Sequence, residues 1–514
     1  MVTFVINKLS KHHINKSIMR KISLLLAILL ASTAFAQNKV TNKIMEMGKS
    51  DNRTMEHLDI LTNRFGGRPI GSNAYTNATY WVANLLEGWG LDVEIQEVGT
   101  LPVGFNRGPW FGKMYSDQSM PLEFVTPSYT SGTKGVQRGH VLIEPKTRAE
   151  FERMKGKLKG AWVLIEGTSN GFAIDHSKSG DNRRDSIIKA NEMAKHDSLK
   201  IVEPALFLKE MKEAGILGTI QSAPIPLVAL YDRKNLFDLS FDNLPNTPDI
   251  KLNEDQYNII RKKAEQREFV QLEFDIRNYF RPGPVKFHNV IATIKGTKYP
   301  DEYVISGCHL DSYDAATGAV DCGTGVAPNL EMARTIMASG GNKPDRTIMF
   351  AFWAGEEFGL LGSKYWVENN IDKLGKISNY FNRDGGPTAA SGLVVPENWY
   401  DDIMKCTAEL ANYDERIPFK VEKNTRGPQP IPADAWGTDH AFFARNGVPT
   451  IPFRNSDPLG YNFSYYEIWH TTRDTYNMSI AEYMEYTSVT QAVTLYNIAN
   501  LKNLLPRNQI YLND

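Results

Sequence analysis

The fold follows from one segment, residues 303–357, which reads YVISGCHLDSYDAATGAVDCGTGVAPNLEMARTIMASGGNKPDRTIMFAFWAGEE. Its two apolar runs, at the beginning and over Thr347–Trp353, are typical of buried strands, and a helical pattern over Thr324–Ser339 separates them. Strand patterns also occupy His288–Ile294 before the segment and Ile377–Asn382 after it. Strands that alternate with helices predict an α/β protein with a mixed sheet, helices on both faces and loops that meet at the strand ends.

Residues 125–284 have a different pattern from the rest of the chain. Short β-like runs are separated there by polar loops such as Ser177–Lys200. These runs are His140–Ile143, Ala161–Glu166, Ile225–Ala229 and Val270–Ile276. The pattern predicts a β-rich insert between residues 37–124 and 285–514, which together form one discontinuous α/β domain.

Length and composition exclude several classes of protein. The chain has 514 residues, enough for two domains, and its 42% hydrophobic and 23% charged residues exclude a mostly disordered or low-complexity chain. Its 58 Lys and Arg residues against 59 Asp and Glu residues give no basic excess for a nucleic acid or an anionic membrane as partner. Three cysteines are too few for a disulfide-rich scaffold.

The first 36 residues have the features of an export signal. Five basic residues and no acidic residue precede the apolar run Ile22–Leu30, and Ala34 and Ala36 form a cleavage site before Gln37. The apolar run is too short to span a membrane, and no later stretch is long enough. We therefore expect a secreted or periplasmic protein with no membrane span in the mature chain; an uncleaved anchor is the alternative.

Acidic residues and a histidine follow the predicted strands. His309 and Asp311 come directly after the first apolar run of the segment, and alternation along a strand places them on the same side. Glu356 and Glu357 follow the second run, and Asp384 follows the third. Taken singly, these residues also suit a hydrogen-bonded pair, an acidic first turn of a helix and an ordinary turn.

Two further candidates lie in loops. Asp321 precedes a Gly-x-Gly helix start, where it also suits a helix N-cap, and His470 lies in the loop sequence WHTTRDT. Together, two histidines and several carboxylates form a ligand set for zinc or a similar divalent cation. A carboxylate placed between two ions gives the two-metal arrangement of hydrolases.

These motifs resemble those of the co-catalytic zinc exopeptidases, the family that includes bacterial leucyl aminopeptidase, aminopeptidase Y and the Q-type carboxypeptidase. The similarity spans most of the mature chain. It rests on the His-x-Asp pair, the Glu-Glu pair, Asp384 twenty-seven residues after Glu357, and the His-Thr-x-x-Asp-Thr sequence that begins at His470. It implies a mixed-sheet, phosphorylase/hydrolase-like α/β fold and peptide substrates.

The resemblance implies two Zn²⁺ ions per chain and assigns ligands to both. His309 and Asp384 would hold one ion, Glu357 and His470 would hold the other, and Asp321 would bridge the two.

The resemblance also implies the catalytic residues. Glu356 would be the general base, and Asp311 would orient His309. Tyr465 and Tyr466 are candidate hydrogen-bond donors to the oxyanion.

The expected activity is the removal of a terminal residue from peptides, with an aminopeptidase favoured over a carboxypeptidase. A carboxypeptidase needs a basic group for the substrate carboxylate, and four arginines are candidates: Arg383, Arg426, Arg454 and Arg473. The alternatives are a related zinc carboxypeptidase or deacylase, a glutaminyl cyclase with a single zinc ion, and a receptor-like ectodomain that binds without catalysis. The sequence does not indicate an oligomeric state.

Cys322 departs from the family pattern, in which the residue after the bridging aspartate is often Asp or Asn. The family usually has a cis peptide bond at this position, and the sequence leaves open whether this chain keeps it. A disulfide between Cys308 and Cys322 is conceivable, although we expect buried free thiols. The insert resembles a protease-associated domain over residues 156–165 and 224–228.

Overall fold

The computed structural model describes residues 39–230, 236–341 and 343–512, and the predicted export signal, residues 1–36, lies outside them. Its strands are β1 (Asp92–Tyr115), β2 (Met120–Pro121), β3 (Phe124–Val125), β4 (Gln137–Ile143), β5 (Ala161–Thr168), β6 (Gly218–Ala223), β7 (Asp249–Asn253), β8 (Gln271–Ile294), β9 (Tyr299–His309), β10 (Arg346–Trp353), β11 (Ile377–Asn382), β12 (Ala389–Val395), β13 (Lys420–Lys423) and β14 (Phe453–Ser456). Its helices are α1 (39–50), α2 (Thr54–Asp59), α3 (Asn73–Gly88), α4 (Arg148–Met154), α5 (Lys178–Met193), α6 (Leu208–Glu213), α7 (Glu254–Gln266), α8 (Thr324–Ala338), α9 (Leu361–Glu368), α10 (Ile371–Leu374), α11 (Glu397–Cys406), α12 (His440–Arg445) and α13 (Ala481–Ala499). Within these residues, no helix combines the length and the apolar character needed to cross a membrane.

Two long antiparallel strands connect the strands of residues 125–284 with those of the C-terminal residues 285–514. β1 and β8 have 24 residues each and pair along their whole length. The other edge of β8 pairs with β10 through residues 290–294 and with β4 through residues 271–274. One sheet of eleven strands therefore continues from the order β11-β9-β10-β8 into the order β4-β5-β6-β7-β3. A separate sheet of three strands has the order β13-β12-β14.

The C-terminal part of the large sheet is covered on both faces. β9, β10 and β11 are parallel, whereas β8 runs antiparallel to β10, so the sheet is mixed. Alternate residues of β10 point to opposite faces, with Phe350 and Phe352 in one core and Met349 and Trp353 in another. The first core includes residues of α3, α8 and α13, and the second includes residues of α9 and α12. The predicted α/β fold, a mixed sheet with helices on both faces, is confirmed.

The insert contains more helix than the sequence analysis predicted. The segment Ser177–Lys200, expected as a polar loop, contains helix α5, and the Ser177 side chain caps this helix by accepting a hydrogen bond from the Gly180 amide. Within α5 only Gly180, Arg184 and Ile188 are buried. Such a sparse apolar stripe is too weak to reveal a helix in the sequence, so the prediction of a loop was wrong.

The predicted strand Ile225–Ala229 was also wrong. In this segment Val228 forms a single antiparallel bridge with Thr471 instead of joining a sheet. The amide of Thr472 donates to the Leu227 carbonyl oxygen at 2.9 Å. The apolar run is thus explained by packing against a loop rather than by pairing with strands.

The long strands serve two hydrophobic cores. Met114 of β1 and Leu272 of β8 lie in the core of the insert, whereas Phe105 of β1 and Val290 of β8 lie in the core of the C-terminal part. The predicted domain boundary at residue 285 falls inside β8. The division of the chain into domains stays a prediction.

Candidate metal centre

Three neighbouring parallel strands end at the same edge of the sheet, and the candidate ligands follow them there. His309 is the last residue of β9, which lies between β10 and β11. Glu356 and Glu357 lie in the turn after β10, and Asp384 lies two residues after β11. The register of the sheet therefore brings these side chains together although they are distant in the sequence.

Asp321 lies at the centre of the cluster. Its Oδ1 atom is 3.1 Å from His309 Nε2, and its Oδ2 atom is 3.2 Å from His470 Nε2. The peptide bond between Asp321 and Cys322 is cis, as in the family. The Asp474 carboxylate accepts hydrogen bonds from the amides of Val320 and Asp321 and so fixes the turn that presents Asp321.

The other candidate ligands form two pairs, one on each side of Asp321, and we call each pair one half of the cluster. In the first, which we name the strand-end half, His309 Nε2 lies 3.5 Å from Asp384 Oδ1. In the second, the loop half, His470 Nε2 lies 3.0 Å from Glu357 Oε2. All five residues that the family resemblance assigns to metal binding are therefore linked by contacts through Asp321 and the two histidines, and each half contains one histidine and one carboxylate of its own.

The charges of the cluster shift the pKa values of its members. Burial opposes a charge on His470, but the carboxylates of Glu357 and Asp321 outweigh burial and raise the pKa of His470 to about 10. In the same way, neighbouring acidic groups raise the pKa of His309 well above its usual value. Burial and the charge of Asp321 raise the pKa of Glu357 to about 7. The acidic cluster thus attracts positive charge.

The residues fit zinc. In a tetrahedral site with zinc–ligand distances of about 2.0–2.1 Å, ligand atoms are about 3.3 Å apart, and the ligand atoms here are separated by 3.0–3.5 Å. Two buried carboxylate atoms, Glu357 Oε1 and Asp384 Oδ1, have no hydrogen-bond partner among the described residues. Buried carboxylate oxygens without donors are costly unless a cation meets them, so their presence favours a metal centre.

Asp311 contacts the cluster through its main chain and its side chain. The backbone oxygen of Asp311 lies 2.9 Å from His309 Nδ1, whereas Oδ1 is 3.8 Å away. The carboxylate instead accepts hydrogen bonds from the amides of Glu356 and Glu357 at 3.1 and 3.2 Å. Asp311 therefore orients His309 through its carbonyl group and anchors the Glu-Glu turn through its carboxylate.

Glu356 has the environment expected of a general base. Its side chain is buried, and burial together with the charges of Asp384 and Glu357 raises its pKa well above the usual value. A raised pKa favours uptake of a proton near neutral pH.

Of the two candidate tyrosines, only Tyr465 is directed toward the cluster. Tyr466 is 84% exposed. Burial and then the charges of Asp321, Asp384 and Glu357 raise the pKa of Tyr465, so its hydroxyl group keeps its proton and can donate it in a hydrogen bond.

The four candidate arginines differ in whether the guanidinium group is available to bind a substrate carboxylate. Arg383 is buried, and its guanidinium group donates to the Asn455 side chain and to three backbone carbonyl groups. Arg454 forms an exposed ion pair with Glu422. Arg426 and Arg473 are exposed. Arg383 is thus committed to the fold.

Arg68 supports the centre and was not recognised as a site residue in the sequence. It is fully buried, and its guanidinium group donates to the carbonyl oxygens of Leu310, Thr317 and Gly318. These groups belong to the connection between His309 and Asp321. The only sequence signal was the glycine-rich stretch GGRPIGS at residues 66–72, which reads as a simple turn.

Comparison with known proteins agrees with this geometry. Residues 289–493, which contain all five candidate ligands, match the sequence model of Peptidase family M28. Over these residues the chain is similar to a family of zinc peptidases, which supports the resemblance to the co-catalytic zinc exopeptidases. The resemblance seen in the sequence is confirmed.

Two relatives that match most of the chain are named as carboxypeptidases. Carboxypeptidase Q of Rattus norvegicus is 27% identical over 463 residues, which cover 90% of this chain and 88% of the relative. Carboxypeptidase Q of Homo sapiens is 22% identical over 464 residues, with the same shares of both chains.

Solved structures show the same fold. The peptidase M28 precursor from Shewanella amazonensis is 20% identical, has a TM-score of 0.57 and covers 91% of this chain and 98% of its own. BSAP, a zinc aminopeptidase from Bacillus subtilis, is 18% identical, has a TM-score of 0.50 and covers 90% of this chain and 97% of its own.

Proposed function

We propose that the protein is an exported exopeptidase that uses two zinc ions to hydrolyse terminal peptide bonds. The observation that carries the proposal is the position of Asp321, whose two carboxylate oxygens face different histidines. A carboxylate in this position suits two adjacent ions, each completed by one half of the cluster.

The residues of the chain have separate roles in the proposed reaction. When bound, the zinc ions would polarise the scissile carbonyl group and lower the pKa of the attacking water. Glu356 accepts a proton from that water and delivers it to the leaving amine. The Tyr465 hydroxyl group donates a hydrogen bond to the carbonyl oxygen as negative charge develops there. Asp311 keeps Glu356 in place through the main chain.

The substitution Glu356→Gln tests the general base. It keeps the size of the side chain but removes its capacity to take a proton, so we expect turnover to fall by about 10²–10⁴-fold while zinc content stays unchanged. Peptide hydrolysis and elemental analysis measure the two quantities. Glu368→Gln, at an exposed position on α9, is the matched control. Full activity of Glu356→Gln would refute the assignment.

We further propose that the enzyme is an aminopeptidase. Arg383, the buried candidate for a substrate carboxylate, already donates to other groups and is therefore not free to bind one. The second candidate is a carboxypeptidase, which is favoured by the names of the relatives that match most of the chain.

One dipeptide in three forms distinguishes the two specificities. The substrate is offered free, with a blocked amino group and with a blocked carboxyl group, each with and without a chelator. An aminopeptidase fails only on the amino-blocked form, whereas a carboxypeptidase fails only on the carboxyl-blocked form. Hydrolysis that continues in the presence of the chelator would contradict the proposed role of the metal ions.

Zinc stoichiometry distinguishes the remaining alternatives. About two ions per chain support the proposed enzyme, one favours a glutaminyl cyclase, and none favours a receptor-like ectodomain. Export is tested separately by N-terminal sequencing of protein from its native host, for which we expect Gln37 as the first residue.

A further inference from the structure

Cys322 lies against the strand-end half of the cluster. Its Sγ atom and the ligand atoms of His309 and Asp384 all lie within 4.8 Å of one another. The thiol donates to the carbonyl oxygen of Arg383, the residue before Asp384, at 3.1 Å. Gly325 leaves room for the sulfur, because a Cβ atom at that position would lie 2.6 Å from Sγ. The local packing therefore places the thiol beside two metal-ligand candidates.

In the strand-end half, a carboxylate oxygen of Asp384 has no hydrogen-bond partner among the described residues. This atom, Oδ1, is buried and lies 3.5 Å from His309 Nε2. The thiol group of Cys322 is a weak hydrogen-bond donor, so its bond to the Arg383 carbonyl group is easily given up. Zinc binds cysteine sulfur at about 2.3 Å and histidine nitrogen at about 2.0–2.1 Å. The three donor atoms, within 4.8 Å of one another, are near the spacing that ligands of one ion have.

We propose that the sulfur of Cys322 is an additional ligand of the ion held by His309 and Asp384. This inference rests on the proposed function, since it requires these residues to hold a metal ion. The thiolate is the form that binds metal, so the thiol proton passes to solvent as the sulfur–metal bond forms.

The sulfur gives the two halves of the cluster different ion preferences. Thiolate ligands favour zinc, whereas carboxylates also suit magnesium and manganese. The strand-end half should therefore discriminate against the oxygen-preferring ions more strongly than the loop half, whose assigned ligands are His470, Glu357 and Asp321.

Cobalt(II) in place of zinc tests the assignment without measuring activity. A sulfur–cobalt bond adds a near-ultraviolet charge-transfer band that nitrogen and oxygen ligands do not produce. Full-length protein stripped by a chelator and reloaded with cobalt should show this band, and Cys322→Ser should bind cobalt without it. Cys308→Ser and Cys406→Ser are matched controls, since both residues are buried free thiols; both variants should keep the band.

The outcomes separate this inference from the proposed function. Wild-type protein that binds cobalt without the band overturns the sulfur ligand but leaves the metallopeptidase proposal intact. Wild-type protein that binds neither cobalt nor zinc contradicts the metallopeptidase proposal and, with it, this inference. A band that persists in Cys322→Ser but disappears in Cys308→Ser assigns the sulfur elsewhere and also overturns the inference. Should Cys322→Ser fail to fold, Cys322→Asp serves as the second variant and should also bind cobalt without the band; absence of the band in wild-type protein overturns the inference whether or not a variant folds.

Discussion

The two halves of the candidate metal cluster contain the same kinds of side chain but are held in place by different means. In the strand-end half, His309 ends β9 and Asp384 follows β11, and these two strands are neighbours in the sheet. In the loop half, His470 lies outside any strand or helix and has a φ of 58°. Sheet register thus positions both side chains of the first half, whereas in the second half it positions Glu357 and tertiary packing positions His470.

The packing around His470 involves the insert. The amide of Ala229 donates to the His470 carbonyl oxygen at 3.4 Å. Trp469 stacks on the His470 ring with 4.0 Å between the ring centroids. Tyr313 packs edge-on against the same ring, with 4.5 Å between the centroids. The position of this loop histidine therefore depends on neighbours from other parts of the chain.

Asp321→Asn should have the largest effect because it affects both halves at once. The substitution removes the negative charge and one of the two oxygens that face the histidines. Changes beyond the direct ligands typically cost about 10–100-fold in metal affinity, so we expect more than about 100-fold here and loss of both ions. Elemental analysis after dialysis measures the ions, with Asp372→Asn at an exposed position as control. Retention of two zinc ions would contradict the bridging role.

His309→Ala and His470→Ala should each remove one ion, but with unequal effects on stability. The His309 side chain is completely buried, whereas that of His470 is 10% exposed. Removing one partner from a buried charged pair costs about 3–5 kcal/mol, so we expect a loss in this range for His309→Ala and a smaller loss for His470→Ala. Chemical denaturation of the metal-free proteins measures the difference. Equal losses in the free energy of unfolding would contradict the predicted difference between the two histidines.

Zinc uptake should release protons and strengthen with rising pH. In the metal-free protein the pKa of His470 is raised from 6.5 to about 10, so the ring is protonated at neutral pH and must lose its proton before its nitrogen can bind zinc. Zinc affinity should therefore increase between about pH 6.5 and pH 10. The stability that the charged ring gives to the metal-free protein is complete below pH 6.5 and is lost as the pH rises through about 10.

Calorimetric titration with zinc in buffers of different ionisation enthalpy measures the released protons. In His470→Ala the release should decrease by the contribution of this ring. Titration heats that are independent of the buffer would contradict the predicted protonation state.

The smallest effect is expected from a change inside the insert. Gly171 has a φ of 93°, and a Cβ atom there would lie 2.6 Å from Val228 Cγ1. Gly171→Ala should therefore displace the segment that contacts the His470 loop and weaken zinc binding in the loop half by a few-fold. Gly167→Ala is the matched control, because Gly167 has a φ of 90° but a Cβ atom added there would meet nothing within 4 Å. Equal zinc affinity of the two variants would show that the insert does not support the loop half.

Sequence patterns were sufficient for the strand-end half. Apolar runs that are too continuous for a surface strand identify β9 and β10 as buried parallel strands, and parallel strands bring their C-terminal residues to one edge. Polar residues directly after such strands, among them His309 and, after β11, Asp384, could therefore be expected to meet. The fold class follows from the same alternation of strands and helices.

Local patterns could not predict the position of His470 or the residues that support the centre. The His470 loop contacts residues 227–229, far away in the sequence, and the sequence alone offered His470 only as a loop histidine to which the family resemblance then assigned a ligand role. Arg68 acts through backbone carbonyl groups, which leave no trace in side-chain patterns. Asp474 was visible in the loop motif, but its bonds to the amides of the Asp321 turn require the folded chain.

The contact between the insert and the His470 loop also limits how the molecule can be shortened. Excising residues 125–284 would cut through β8 and remove the backbone partners of His470 and Thr472. A shortened version of the protein would therefore need a replacement for these backbone contacts to keep the His470 loop in position.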